Sequence, residues 1–160
     1  METKELYLKT AFCCMACDGI IAKEEVSLIK TKSQESKLFG DLDIESTLNS
    51  YVSSINSLGQ SFLFSFLKEL KSNSLSEEEQ LNIVKLAIEM IEADNEVVYS
   101  EVKFFKRLRN SLTISDETIL SAMPDKEDYL LPDIAQNDFE FIQNVNFSSI
   151  DFSENFSENK

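Results

Sequence analysis

Two stretches decide the fold: Ala16-Cys17-Asp18-Gly19-Ile20-Ile21-Ala22-Lys23-Glu24-Glu25-Val26 and, 76 residues later, Glu92-Ala93-Asp94-Asn95-Glu96-Val97-Val98-Tyr99-Ser100-Glu101-Val102. Sliding the chain against itself by 76 residues aligns 8–30 with 84–106 without a gap. Six of the 23 positions are then identical: Lys9/Lys85, Ala11/Ala87, Asp18/Asp94, Glu25/Glu101, Val26/Val102 and Lys30/Lys106. Ordinary residue frequencies would give about one or two. The similar pairs Leu8/Val84, Met15/Ile91, Ile21/Val97 and Ile29/Phe105 fall on the same face. The pattern describes two related helix–turn–helix hairpins, each turn reading Asp-x-x-Ile/Val-x-x-x-Glu-Val. Asp ends the first helix, the apolar residue three positions on plugs the turn into the core, and Glu seven positions on enters the first turn of the next helix. Both carboxylates of a hairpin therefore lie at its same end.

Helical periodicity extends outward from these hairpins, and Gly and Pro number only 3 and 2 in 160 residues. Leu6, Tyr7, Ala11, Cys14, Met15 and Cys17 give a first helix over about 3–17 an apolar face, which Asp18-Gly19 stops. A second helix over about 23–32 buries Val26 and Ile29. Ile44, Leu48, Tyr51, Val52, Ile55 and Leu58 recur at spacings of three and four, as in one amphipathic helix. Phe62-Leu63-Phe64-Ser65-Phe66-Leu67 is apolar almost all round, which predicts a helix at the centre of the bundle. Ser76 with Glu79 is a capping box that opens a helix to about Glu92. Further helices are expected over about 100–111 and from Ser115 to just before Pro124. The fold class is all-α: a helical bundle of two pseudo-twofold-related hairpins over 1–123, followed by an acidic, Phe-rich C-terminal extension, 124–160.

Charge divides along the same boundary. The chain carries 15 Lys+Arg, 29 Asp+Glu and no His, a net −14. Residues 115–160 hold 11 acids and 2 bases, leaving a net of −5 for residues 1–114. Such an acidic chain repels a phosphate backbone, which excludes direct nucleic-acid binding. Absence of histidine removes Ser-His-Asp and Cys-His catalysis and histidine-ligated metals. Three glycines cannot write a phosphate loop or a dinucleotide fingerprint. These exclusions point to a non-enzymatic protein.

The densest apolar run, Ala11 to Cys17, is far short of the roughly 20 residues of a membrane span. Glu2 and Glu5 before it do not suit a signal peptide. Membrane insertion is therefore not expected, and the cytoplasm is the expected location. The three thiols fit that compartment as reduced side chains, with Cys13, Cys14 and Cys17 serving core packing rather than redox or zinc chemistry. The extension is acidic yet rich in aromatics, and Phe139-Glu140-Phe141 and Val145-Asn146-Phe147 alternate with period two. Residues 126–150 are therefore expected to dock on an apolar surface, and Ser153–Lys160 to fray.

Two clusters carry candidate chemistry. Asp18, Glu25, Asp94 and Glu101, with Glu24, Glu92 and Glu96 nearby, offer oxygen ligands suited to Ca²⁺, Mg²⁺ or Mn²⁺ if the hairpins bring the pairs together. Their other reading is structural, as acids placed at helix N-termini. Asp41-Leu42-Asp43-Ile44-Glu45 imitates the start of an EF-hand loop, but Ser46 and Val52 stand where glycine and the bidentate acid belong. Lys103, Lys106, Arg107 and Arg109 form the one basic cluster, either a solvated helix face or a docking surface for an acidic segment such as the chain's own tail.

Asp-Gly after a small residue, then Ile, then Glu-Glu-Val, with a second copy keeping Ala93, Asp94, Val97 and Glu101, resembles the TerB-like family of tellurite-resistance proteins. The resemblance covers about residues 5–122; Cys17 and Asn95 depart from the family's Ala-Asp-Gly. It implies an all-α bundle with pseudo-twofold hairpins, an acidic face that binds divalent cations through Asp18, Glu25, Asp94 and Glu101, and a place in a bacterial stress response through protein partners. No catalytic activity is implied. The alternatives from other classes are a helical adaptor whose acid pairs only cap helices, and an acidic mimic of nucleic acid.

Overall fold

The structure, a computed structural model, describes residues 3–17, 19–35, 38–93, 99–130, 147 and 149–150. Among them the chain is all-α, a helical bundle. Seven α-helices run in chain order: α1 Thr3–Ala16, α2 Lys23–Glu35, α3 Ile44–Leu58, α4 Gln60–Ser72, α5 Glu77–Ile91, α6 Tyr99–Asn110 and α7 Asp116–Ala122. A 3-10 segment, Pro124–Leu130, follows.

Local chemistry sets the boundaries. Asp43 caps α3 by accepting the Ser46 N–H at 3.2 Å, and Ser115 caps α7 by accepting the Thr118 N–H at 3.1 Å. The capping box of α5 is complete: Ser76 Oγ accepts the Glu79 N–H at 3.1 Å and Glu79 Oε1 accepts the Ser76 N–H at 2.9 Å. Gly59 separates α3 from α4 at φ 61°, ψ −140°, a conformation that a side chain resists. There its N–H closes α3 on the Ile55 carbonyl at 2.7 Å while its own carbonyl accepts the Phe62 N–H at 3.0 Å.

The centre of the bundle is α1, where every residue from Leu6 to Ala16 is buried. This corrects two expectations, a one-sided α1 and a central α4. In α4 only Phe62, Leu63, Phe66 and Leu70 form a buried stripe, and Ser61, Ser65 and Lys68 face solvent. Small side chains at Ala11, Cys13, Cys14 and Ala16 let other helices approach α1 closely from several sides. Its most extensive interface is with α5, and it also packs on α3, α4 and α6.

Two polar residues in α1 become tolerable through specific partners. Thr10 Oγ1 donates to the Leu6 carbonyl at 2.7 Å, one turn back. Lys9 Nζ meets Glu69 Oε1 of α4 at 2.9 Å and stands 4.9 Å from the centre of the Phe62 ring. Edge-on contact of Phe12 with Phe62, and a tilted one with Tyr51, complete that wall.

Parts of the C-terminal extension join the same core. Tyr129 meets Phe105 of α6 edge-on at 5.4 Å, Leu130 and Phe147 pack against the cluster, and Ile150 is buried within it. The Phe139–Phe141 alternation, Val145 and the frayed end expected for Ser153–Lys160 lie outside the described residues.

Candidate acidic site at the hairpin turns

Glu25 and Glu101 occupy the same place in their helices, the third residue of α2 and of α6. At that position a carboxylate reaches back toward the N-cap amide and meets the positive end of the helix dipole. Glu25 does so: its Oε1 accepts the Ala22 N–H at 2.9 Å. Both side chains are buried, with 2% and 3% of their surface exposed. Glu79 is the control for this arrangement, since it stands third in α5 and makes the same backward bond while partly exposed. Capping alone therefore does not demand burial.

Both buried acids approach the C-terminal turn of α1. Burial pushes the Cys14 thiol well above its ordinary value, and Cys13, Glu101 and Glu25 add to that shift, so the two glutamates lie within electrostatic reach of one sulfur. Cys17 Sγ, 4.0 Å from the Ser100 carbonyl, connects the same turn to the start of α6. All three cysteines are unpaired with one another and fully buried, as core side chains. Burial also pushes up the Cys13 thiol.

Asp18 and Asp94, the other members of the two acid pairs, lie outside the described residues, as does Glu96. Among the described residues no group of three or more potential ligands converges. Glu25 and Glu101 carry hard carboxylate oxygens, the ligand type of alkaline-earth ions and Mn²⁺. Glu24 is exposed to solvent. Glu92 is engaged by the extension, accepting Lys126 Nζ at 2.9 Å on each oxygen and the Tyr129 hydroxyl at 2.9 Å. Burial, followed by the Glu92 bond and then by Glu101, pushes the Tyr129 hydroxyl above its usual range. Glu92 thus has its own partners in the extension, Lys126 and Tyr129. The false EF-hand acids are accounted for too, Asp41 by Lys4 at 2.6 Å and Asp43 by its cap.

The basic cluster of α6 is less uniform than its sequence. Lys103 is buried, with Nζ 5.8 Å from the centre of the Tyr99 ring, instead of lying on the solvated face. Arg109 pairs with Asp116 of α7 through Nη2 at 2.7 Å and Nε at 3.2 Å. Lys106 and Arg107 are half-buried. The described part of the extension meets α6 through Tyr129 on Phe105, whereas Phe147 and Ile150 bond to α3.

A cleft of about 350 Å³ opens between the α4–α5 connection and residues 111–113. Gln80 in its wall is already engaged, its Oε1 accepting the Thr113 and Ile114 N–H groups at 2.8 and 2.9 Å while Nε2 donates to the Leu75 carbonyl. None of the motif acids lines this cleft. No helix among the described residues is long and apolar enough to cross a membrane. Comparison with protein-family models, curated proteins and solved structures finds no match for the chain.

Proposed function

We propose that the chain is a non-enzymatic, TerB-like binding module of a bacterial stress response of the tellurite-resistance type, working in the cytoplasm through protein partners and sensing a divalent cation. The two hairpins, related by a pseudo-twofold axis, would share one acidic end, with Glu25 and Glu101 as ligands from their described parts and Asp18 and Asp94 completing the set. The observation that carries this reading is the burial of Glu25 and Glu101 at equivalent helix positions, both acting on the Cys14 thiol. Carboxylates taken out of water are costly as charges, and Ca²⁺, Mg²⁺ or Mn²⁺ bound between the two turns would supply them with a counter-charge.

Thermal unfolding with and without the cation tests the proposal. At a hundredfold excess over Kd, binding to the folded state alone adds roughly 2.7 kcal/mol, equivalent to a rise in Tm of roughly 5–10 °C for a chain of this size. Combining Glu25→Gln with Glu101→Gln should abolish the rise. An unchanged Tm with millimolar Ca²⁺, Mg²⁺ and Mn²⁺ would sink the cation reading. The adaptor reading would then stand, in which the acids only cap helices; the Ala22 N–H bond to Glu25 is the observation that favours it.

A further inference from the structure

Helix α5 ends on a carboxylate. Glu92 is its C-terminal cap, and its last turn carries no basic residue. A negative side chain there meets the negative end of the helix dipole, where a cation is the favourable neighbour. Lys126, in the 3-10 segment, supplies that cation from 34 residues along the chain, with Nζ 2.9 Å from each Glu92 oxygen. The Tyr129 hydroxyl donates to Glu92 Oε2 at 2.9 Å as well. Asp125 lies 3.8 Å from the same ammonium but is largely exposed, so its pull is weaker. Residues 115–160 hold 11 acids and 2 bases, Lys126 and Lys160. One of the two therefore closes on this carboxylate.

The ammonium stands beside the second hairpin turn. Tyr129, which shares Glu92 Oε2 with it, packs edge-on against Phe105 at 5.4 Å. Phe105 follows Glu101 by four residues, one turn along the same side of α6, and both are buried. After burial and Glu92, Glu101 is the next influence on the Tyr129 hydroxyl, which places that acid within electrostatic reach of the Glu92 cluster. In the first repeat the position of Glu92 is taken by Ala16, fully buried, which offers a cation nothing to hold. The Glu92–Lys126 pair therefore belongs to the second repeat alone.

We propose that Lys126 is a built-in counter-cation of the second hairpin turn: by neutralising Glu92 and the end of α5, it lowers the affinity of the neighbouring acidic site for a divalent cation. The ammonium repels an entering cation and, with Tyr129, withholds Glu92 as a further ligand. This regulation rests on the cation reading of Glu25 and Glu101. It requires no movement of the extension, because the charge acts from the position it holds.

The test titrates Mn²⁺ into the full chain and follows water-proton relaxation. Lys126→Met should tighten Mn²⁺ binding roughly threefold or more at low ionic strength, and high salt should shrink that gain. Lys126→Arg keeps the charge and should bind within about twofold of the unaltered chain. Weaker binding by Lys126→Met, a gain that salt leaves unchanged, or the same gain in Lys126→Arg overturns the proposal, since each would mean that Lys126 acts through packing. Thermal unfolding without metal reads the pair independently. Lys126→Met should lower Tm by roughly 1–3 °C in the unaltered chain and leave it nearly unchanged in a Glu92→Gln background. Equal losses in the two backgrounds contradict the pairing. If Mn²⁺ binds none of these chains, the cation reading fails and the effect on affinity falls with it, while the thermal comparison still decides whether Lys126 neutralises Glu92.

Discussion

Helices α1 and α5 begin the two repeats and pack on each other, yet they meet different surroundings. α1 is enclosed from Leu6 to Ala16, whereas α5 leaves Lys85 and Glu89 in solvent. Aligned positions diverge accordingly: Cys13 aligns with Glu89 and Ala16 with Glu92, and the shared lysine is buried as Lys9 but exposed as Lys85. Against that divergence the third residues of the following helices stay alike, Glu25 and Glu101 both acidic and both buried. The repeat has diverged at Cys13/Glu89, Ala16/Glu92 and in the burial of Lys9 and Lys85, while the two acids, like the apolar pairs Ala11/Ala87 and Met15/Ile91, keep both type and burial.

Exchanging residues between the helices should break this comparison most forcefully at Cys13. Cys13→Glu places an isolated carboxylate in the core and is expected to destabilise by more than about 4 kcal/mol, enough to prevent cooperative folding. Glu89→Cys removes only the pair with Lys32, 2.7 Å away at a partly exposed site, and should change stability by less than about 1 kcal/mol. Urea unfolding of both variants decides the matter, and similar losses would mean that the two helices are equally enclosed.

The shared lysine gives a smaller, sharper contrast. Lys9→Met removes the cation from Glu69 and from the Phe62 ring, an expected loss of about 1–3 kcal/mol, while Lys85→Met should stay within about 0.5 kcal/mol. Equal effects would contradict the difference in burial.

Smaller again is the effect of the exposed cap, the counterpart of the buried acids. Ser76→Ala should cost about 1 kcal/mol. The Ser76 N–H bond holds the Glu79 carboxyl below its ordinary value of 4.5, so the folded state binds fewer protons than the unfolded one in that window. The contribution of Glu79 is therefore present above pH 4.5 and fades as pH falls through its lower folded value. Glu79→Gln should be about 0.5 kcal/mol less stable than the unaltered chain at pH 7 and indistinguishable from it near pH 2. A deficit that persists at the acid end would show that Glu79 acts through packing instead.

Helix existence and several ends were legible because their causes are local: Ser76 with Glu79 and Ser115 each act within a few residues, whereas the Asp43 cap emerged only in the structure. The central helix was not legible. Lys9 and Thr10 make α1 look one-sided in sequence, and only distant Glu69 and the local Leu6 carbonyl reveal how both are buried. Lys103 was read as surface for the same reason, since periodicity cannot tell a buried cation from an exposed one. Glu25 and Glu101 were legible through the 76-residue register, which repeats the two acids even where aligned neighbours differ. The bonds from Asn56 and Asn49 of α3 to Phe147 and Ile150 left only a weak trace, two amides seven residues apart, because their partners lie 91 and 101 residues along the chain.

Paramagnetic broadening by Mn²⁺ tests the central claim, a cation site shared by the two hairpin turns, most directly. In amide spectra of the full chain, substoichiometric Mn²⁺ should broaden signals of Ala22–Glu25 and of Ser100–Glu101 together, and Glu25→Gln should weaken both sets. Broadening absent from these turns, or confined to one hairpin and indifferent to the substitution, would contradict it.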